Sequence, residues 1–370
     1  MSQQKQTSPF DPNEFAEWML EGLRETLKYR VRQTLSRDRW VEAVKARIPN
    51  QNQVLHFALR QAFERAGTRF EELKQGDAVF YVIRKALREV PPGEKIRRLV
   101  FVPGLGDSPG SWLPFFTLSK GELTRKFDEV LVIDFPGYMG FLSHHEMVSS
   151  MEILLGVVRM VCQLYPPSVL MGHSLGAWLA GKTAQQFPQV IDQFIAIAPS
   201  GLITPEERKI FGDFIVRNQG LTLEELLELI VYDPKKFGPL LNRDFKDFYE
   251  RPSIKNFVDS VRDEHFIDGS QPFMARKITV IWGDADRFVP THWVRNWIES
   301  YGEYLDAYLL KKTGHIPQME RPMVTSKVLA HALNGDRSNE GFGWTRIQTR
   351  RNEFDGARQP ESSGSPRLLK

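Results

Sequence analysis

Apolar positions along the chain change their spacing three times. Between Asn13 and Gly67 they recur every three or four residues. Phe15, Met19, Leu23, Leu27 and Val31 form one stripe, and Leu55, Leu59, Ala62, Phe63 and Ala66 form a second. That period predicts amphipathic helices. Pro49 and the Asn50-Gln51-Asn52 cluster separate the stretches and let a helix restart. Residues 1–67 are therefore expected to form a helical extension, basic and polar on its outer face.

From Thr68 the period shortens. Thr68 to Leu73 and Ala78 to Ile83 read as two strands around a turn at Gln75-Gly76-Asp77. Beyond Pro91-Pro92-Gly93 come short, unbroken apolar runs. They are Arg98 to Val102, Val130 to Ile133, Ser168 to Met171, Phe194 to Ile197 and Ile278 to Ile281. Strands covered on both faces have this character, as in a parallel sheet packed between helices. Helical stretches at Met147 to Leu164, Leu175 to Phe187 and His292 to Tyr301 alternate with them. Strand and helix in alternation predict an α/β fold, a mostly parallel central sheet with right-handed crossovers.

Between Gly201 and Met274 the alternation stops. Pro205 to Val216, Leu223 to Val231 and Pro252 to Val261 look helical, separated by Pro and Gly. A stretch this long is not a plain loop in a compact domain, so residues 203–274 are expected to be an inserted helical cap. Residues 68–202 and 275–335 then make the core. From Asp336 to Lys370 the composition turns to Gly, Ser, Asn, Arg and Glu. It predicts a disordered tail, with Phe342 and Trp344 as its docking points.

Composition narrows the function classes. The 370 residues are 41% hydrophobic and 26% charged, and no internal repeat is visible, which excludes collagen and a disulfide scaffold. A net charge of +3 is too small to indicate a nucleic-acid binder. Cys162 is the sole cysteine and reads as a buried core thiol. No apolar run is long enough to span a membrane. Asp11, Glu14 and Glu17 interrupt any signal-peptide core, so a reducing, cytoplasmic setting is expected.

The candidate chemistry begins at Gly172-His173-Ser174-Leu175-Gly176. This G-x-S-x-G match closes one apolar run and opens a helical stretch. Strand, sharp turn and helix would expose Ser174 at the carboxyl end of the sheet, with the Leu175 N–H at a helix N-terminus facing a developing oxyanion. Such a serine needs an acid and a histidine later in the chain. Asp284 and Asp286 follow the Ile278 run, and His315 follows Thr313-Gly314 after the strand-like Tyr308-Leu309-Leu310. The order Ser, Asp, His is the one this arrangement requires.

With these motifs the chain resembles the α/β-hydrolase family of the serine-triad type, over about Thr68 to Leu333. Pro103-Gly104-Leu105-Gly106, Asp134-Phe135-Pro136-Gly137, the Gly172–Gly176 elbow, the G-x-x-D-x-x-x-P stretch from Gly283 to Pro290 and Gly314-His315 occur in the family's order. The resemblance implies an α/β-hydrolase fold with Ser174 as nucleophile, Asp286 rather than Asp284 as triad acid, and His315 as base. It also implies Leu105 as the second oxyanion N–H donor. The family's first-strand loop usually reads His-Gly; here it is Pro103-Gly104, which leaves the triad untouched but removes a loop-shaping side chain.

The implied reaction is hydrolysis of a carboxylic ester with a small to medium apolar acyl group, through an acyl-enzyme, with no metal or organic cofactor. A thioesterase is the alternative, because Pro103 to Ser108 also resembles the oxyanion loop of acyl-protein thioesterases. Carbon–carbon bond hydrolysis and a non-catalytic binding role are further alternatives. Other candidates have plainer readings. His173 packs structurally, His144-His145 is a solvated loop, and Asp107-Ser108 is a turn. His292 lies near the active face. Trp112, Phe115, Phe116, Tyr138, Met139 and Phe141 are core or cleft wall. The N-terminal helices are candidates for self-association or membrane-surface docking.

Overall fold

The apolar runs become the middle of a single sheet. A computed structural model describes residues 64, 67–76, 78–107, 109–135, 150–186, 191–209, 221–237, 252–273, 275–336, 338 and 340–347. The chain separates into two compact units, Met1–Gly67 and Thr68–Lys370, and the sheet belongs to the second. Its strands are β1 (Thr68–Gln75), β2 (Ala78–Ala86), β3 (Arg98–Val102), β4 (Glu129–Asp134), β5 (Val169–His173), β6 (Gln193–Ile197), β7 (Ile278–Gly283), β8 (Leu305–Leu310), β9 (Glu340–Gly341) and β10 (Trp344–Ile347). They lie in the order β1-β2-β4-β3-β5-β6-β7-β8-β10-β9. The six strands from β4 to β8 in that order run parallel. Antiparallel ladders add β1 and β2 at one edge and β10 and β9 at the other.

Continuous hydrophobicity has its expected cause. Every residue of β4, β5, β6 and β7 is buried. The helices are α1 (Leu113–Leu118), α2 (Lys120–Lys126), α3 (Met151–Leu164), α4 (Leu175–Gln186), α5 (Leu223–Ile230), α6 (Pro234–Phe237), α7 (Pro252–Asp259), α8 (Val294–Tyr301), α9 (Pro317–Glu320) and α10 (Pro322–Asn334). α3 buries Met151, Leu154, Leu155, Val158, Val161 and Cys162 along one stripe, the spacing that an amphipathic helix needs. The Met151 N–H, orphaned at the helix start, donates to Ser260 Oγ at 2.9 Å. Burial pushes the Cys162 thiol up to about 12, so it stays a neutral core group.

Between β6 and β7 the described residues hold helices and no strand beyond one isolated bridge, Ile191 to Ala275. α5 starts on a reciprocal cap. The Glu225 N–H donates to Thr222 Oγ1 at 3.2 Å, and the Thr222 N–H donates to Glu225 Oε2 at 2.8 Å. Leu226, Leu227 and Ile230 are buried on its inner face.

The C-terminal region departs from expectation. β10 pairs with the outer edge of β8, with Trp344 opposite Leu310. The Trp344 ring is 5% exposed and packs against Tyr308 and His331. One buried indole and a row of unpaired edge amides suffice to order a segment whose composition reads as tail. Phe342, the other named docking point, is 76% exposed. Residues 348–370 lie outside the described residues. So do both N-terminal helical stripes, together with Pro136-Gly137, Tyr138, Met139, Phe141, His144-His145 and the later part of the 205–216 helix. No helix among the described residues is long and apolar enough to cross a membrane.

Candidate active site

Four loops leave the carboxyl ends of the parallel strands and carry the candidate residues. Loops after β3, β5, β7 and β8 hold Leu105, Ser174, Asp286 and His315 respectively. In a sheet of this kind, ligands bind at that edge.

Ser174 stands alone between β5 and α4 with φ at +52°, the left-handed region. That conformation costs a non-glycine residue roughly 1–2 kcal/mol. The flanking glycines make the turn possible by close approach. A Cβ on Gly176 would lie 2.1 Å from the Val102 carbonyl oxygen and 2.3 Å from that of Pro103. A Cβ on Gly172 would lie 2.5 Å from the Gly176 carbonyl oxygen. Helix α4 therefore starts hard against the end of β3. The 103–106 loop lies against the serine, since a Cβ on Gly104 would be 3.2 Å from Ser174 Cβ. Leu175 is the first residue of α4, so its N–H has no intrahelical acceptor and sits at the positive end of the helix.

The three side chains meet. His315 Nδ1 is 2.8 Å from Asp286 Oδ2, and His315 Nε2 is 2.9 Å from Ser174 Oγ. A carboxylate only accepts, so Nδ1 carries the proton and donates to Asp286. Nε2 of a neutral ring then accepts from the serine hydroxyl. Ser174, Asp286 and His315 are 7%, 4% and 4% exposed, so the relay is shielded from bulk water.

Asp286 is held from three further directions. Its Oδ1 accepts from the Phe288 N–H at 3.0 Å and the Val289 N–H at 2.9 Å. Its Oδ2 also accepts from Trp282 Nε1 at 3.2 Å. Asp284, by contrast, is exposed, and its Oδ1 accepts only a 3.3 Å bond from the Thr313 N–H.

His315 is pinned through its backbone as well. Its N–H donates to the Ile230 carbonyl at 2.6 Å, and its own carbonyl accepts from His173 Nε2 at 2.8 Å. His173 Nδ1 is 3.3 Å from Asp107 Oδ2. Asp107 also accepts from Ser111 Oγ and Trp112 Nε1, and its N–H closes a turn onto the Gly104 carbonyl at 3.1 Å. His173 thus lies between the loop after β3 and the loop after β8 and is bonded to the latter. Trp112 and Phe115 are fully buried, and the Trp112 ring meets His173 edge-on at 5.4 Å. His292 is exposed on the turn Thr291–Trp293.

Sequence reasoning passed over two contributors. Trp282, next to last in β7, donates its Nε1 to Asp286, and no local pattern marks a strand tryptophan as a donor to an acid four positions on. Glu320, between Pro317 and Pro322, drew no reading from the sequence, and it is 6% exposed. Burial pushes its carboxyl up to about 7, with Asp286 adding repulsion, against backbone N–H donors from Tyr232, Gly314 and Ile316 that pull it down. Among the described residues, no group of three or more His, Cys, Asp or Glu is gathered to hold a metal ion.

Residues 99–327 match the profile of the Alpha/beta hydrolase family. The chain belongs to the alpha/beta hydrolase family. No curated protein sequence matches it. Among solved structures the family resemblance extends to a membrane phospholipase A described as a bacterial virulence factor. The identity is 17% and the TM-score 0.55, over 86% of this chain and 98% of that one. A 2-hydroxy-6-oxo-6-phenylhexa-2,4-dienoate hydrolase from Rhodococcus sp. strain RHA1 is similar at 16% identity and TM-score 0.53, over 72% of this chain and 99% of that one. A thermophilic esterase from Thermogutta terrifontis is similar at 14% identity and TM-score 0.52, over 72% and 98% of the two chains. At these identities the likeness is one of fold.

Proposed function

We propose that the protein is a serine hydrolase that cleaves carboxylic esters of small to medium apolar acyl groups through an acyl-enzyme. The observation that carries this reading is the continuous relay from Asp286 through His315 to Ser174, with bonds of 2.8 and 2.9 Å.

A neutral hydroxyl is a weak nucleophile. As Ser174 Oγ attacks the ester carbonyl, His315 Nε2 takes its proton. Asp286 holds the ring in the tautomer that leaves Nε2 free to accept, and it stabilises the imidazolium that forms. The carbonyl oxygen gains charge and is received by the N–H groups of Leu175 and Leu105. Each such donor is worth roughly a hundred- to a thousandfold in rate. His315 then gives the proton to the departing alcohol. Water, deprotonated by the same Nε2, attacks the acyl-enzyme and releases the acid. The helices between β6 and β7 act in this reading as a cap, supported by the bond from the His315 N–H to Ile230 at the end of α5.

The test is Ser174→Ala assayed with a panel of p-nitrophenyl esters and with a fluorophosphonate probe. Loss of a triad serine lowers kcat by roughly a millionfold, and labelling by the probe should vanish. Undiminished turnover in the cleanly purified variant would refute the nucleophile. Absence of both labelling and turnover in the wild-type protein would favour a binding role on the same scaffold.

A further inference from the structure

We propose that Glu320 is a positioning residue: its carboxylate fastens the turn carrying His315 to the end of α5, and this attachment keeps the imidazole in register between Asp286 and Ser174. The inference rests on the reading of Ser174 and His315 as nucleophile and base.

The two carboxyl oxygens of Glu320 serve different segments. Oε1 accepts from the Gly314 N–H at 2.9 Å, one residue before His315. Oε2 accepts from the Tyr232 N–H at 2.8 Å, two residues beyond the end of α5. A buried carboxyl is costly unless its oxygens are bonded, and here the bonds go to main-chain amides that would otherwise be left without an acceptor.

Around this clamp the same segments touch through backbone alone. The last carbonyls of α5 have no acceptor role left within the helix. Ile230 takes the His315 N–H at 2.6 Å, and Leu229 takes the Arg287 N–H at 3.3 Å. A Cβ on Gly314 would stand 2.3 Å from the Ile230 oxygen and 2.9 Å from Val231 Cα. One helix end therefore receives both the loop that carries His315 and the loop that carries Asp286. Glu320 ties the first of these to the chain just past that helix end.

The clamp bears on catalysis because the relay has little slack. Its two bonds are 2.8 and 2.9 Å long. A displacement of about 1 Å in a reacting group can cost a hundredfold in rate. The side chain of Glu320 makes no bond to Ser174 or to the His315 ring, so its loss should act on geometry and leave substrate binding nearly intact.

Two independent perturbations test this on the full chain, with p-nitrophenyl acetate turnover, fluorophosphonate labelling rate and thermal unfolding measured for each variant. Glu320→Gln keeps the size but turns an NH2 group toward a main-chain amide that now donates to the carboxylate. Tyr232→Pro deletes one of those amides and leaves the acid in place. Val231, before it, has φ −119° and ψ 150°, a conformation that tolerates a following proline. Tyr232→Ala retains the N–H and subtracts the effect of the side chain, which is 49% exposed. The expected result is a tenfold to hundredfold fall in kcat and in labelling rate for Glu320→Gln, and for Tyr232→Pro relative to Tyr232→Ala, with KM moved less than about threefold. Retention of kcat within twofold overturns the proposal, even where the melting temperature falls. A rise in KM alone also overturns it, since Glu320 would then shape the substrate pocket. Should Glu320→Gln fail to fold, the comparison of the two Tyr232 variants decides. A Ser174→Ala control run alongside separates failure of this inference from failure of the underlying mechanism.

Discussion

Asp286→Asn is the sharpest probe of the relay, because the structure dictates which way the new amide must turn. Oδ1 of Asp286 faces two main-chain donors, the N–H groups of Phe288 and Val289. The amide oxygen has to occupy that position, since an NH2 there would meet two N–H groups. The NH2 is then forced to the Oδ2 position, against His315 Nδ1 and Trp282 Nε1. Trp282 loses little, for its Nε1 also donates to the Val289 carbonyl at 3.0 Å. His315 is changed completely. It must accept at Nδ1, so its proton moves to Nε2, and Nε2 now donates toward Ser174 Oγ instead of accepting from it. The base is present, buried and in the wrong tautomer. The same substitution in the serine-protease triad lowers kcat by about ten-thousandfold, and that is the size expected here. Asp284→Asn is the matched control, since its one bond, to the Thr313 N–H, is long and the side chain exposed. It should leave kcat within a few-fold. Steady-state ester hydrolysis with both variants, at pH 7 and 9, decides the matter. A larger loss for Asp284→Asn, or an Asp286→Asn variant within tenfold of wild type, refutes the tautomer argument.

Gly176→Ala should destabilise by about 3 kcal/mol or more, because its Cβ would lie 2.1 Å from the Val102 oxygen and neither backbone can yield; the expected fall in Tm is roughly 6–12 °C. Gly121→Ala, in α2 with nothing within 4 Å of its Cβ, should match or slightly exceed wild-type stability, and equal Tm values for the two variants would refute the close-packing account. Glu320 gives a pH signature. Its folded-state carboxyl is raised from 4.5 to about 7, so the folded state keeps the proton longer and stability falls as pH rises from about 4.5 to about 7. That cost, of order 3 kcal/mol at pH 8, is absent in Glu320→Gln, so urea midpoints at pH 5, 6.5 and 8 should shift in the variant's favour as pH rises; a pH-independent gap would contradict the burial argument.

What could be read from the sequence was what depends on local pattern. Runs such as Leu99 to Val102 and Val169 to Met171 are apolar on every residue because helices cover both faces, and those runs are β3 and β5. The elbow was legible because a strained serine needs small neighbours at fixed offsets, and Gly172 and Gly176 stand there. What could not be read depends on partners distant in the chain. Trp344 stood out as a docking point, but the pairing of β10 with β8 and the fit of that ring against Tyr308 and His331 are not written in the Gly- and Arg-rich composition around it. One donor to the buried Glu320 carboxyl, the Tyr232 N–H just past α5, lies 88 positions earlier in the chain. Preference for Asp286 over Asp284 came from family resemblance; the four bonds that converge on the Asp286 carboxylate involve residues that no local pattern singles out.

Those distant contacts change how the region between β6 and β7 must be regarded. As a sequence it looks separable: a helical insertion that could cover a cleft while the strand loops did the chemistry. In the structure the end of α5 is built into those loops. Leu229 and Ile230 supply the acceptors for the Arg287 and His315 amides, and Tyr232 supplies a donor to Glu320. Removing this helix end would leave the N–H of the buried His315 without its acceptor and take one N–H donor from the buried Glu320 carboxyl, each worth roughly 1–3 kcal/mol. The rigidity of His315 is thus not a property of the sheet alone. It arises from three supports on one residue: Ile230 at its N–H, His173 at its carbonyl and Asp286 at its ring. All three come from outside the loop that carries it: His173 ends β5, Asp286 follows β7, and Ile230 ends a helix inserted between β6 and β7. Movement of residues 229–232 would therefore displace the backbone that holds His315.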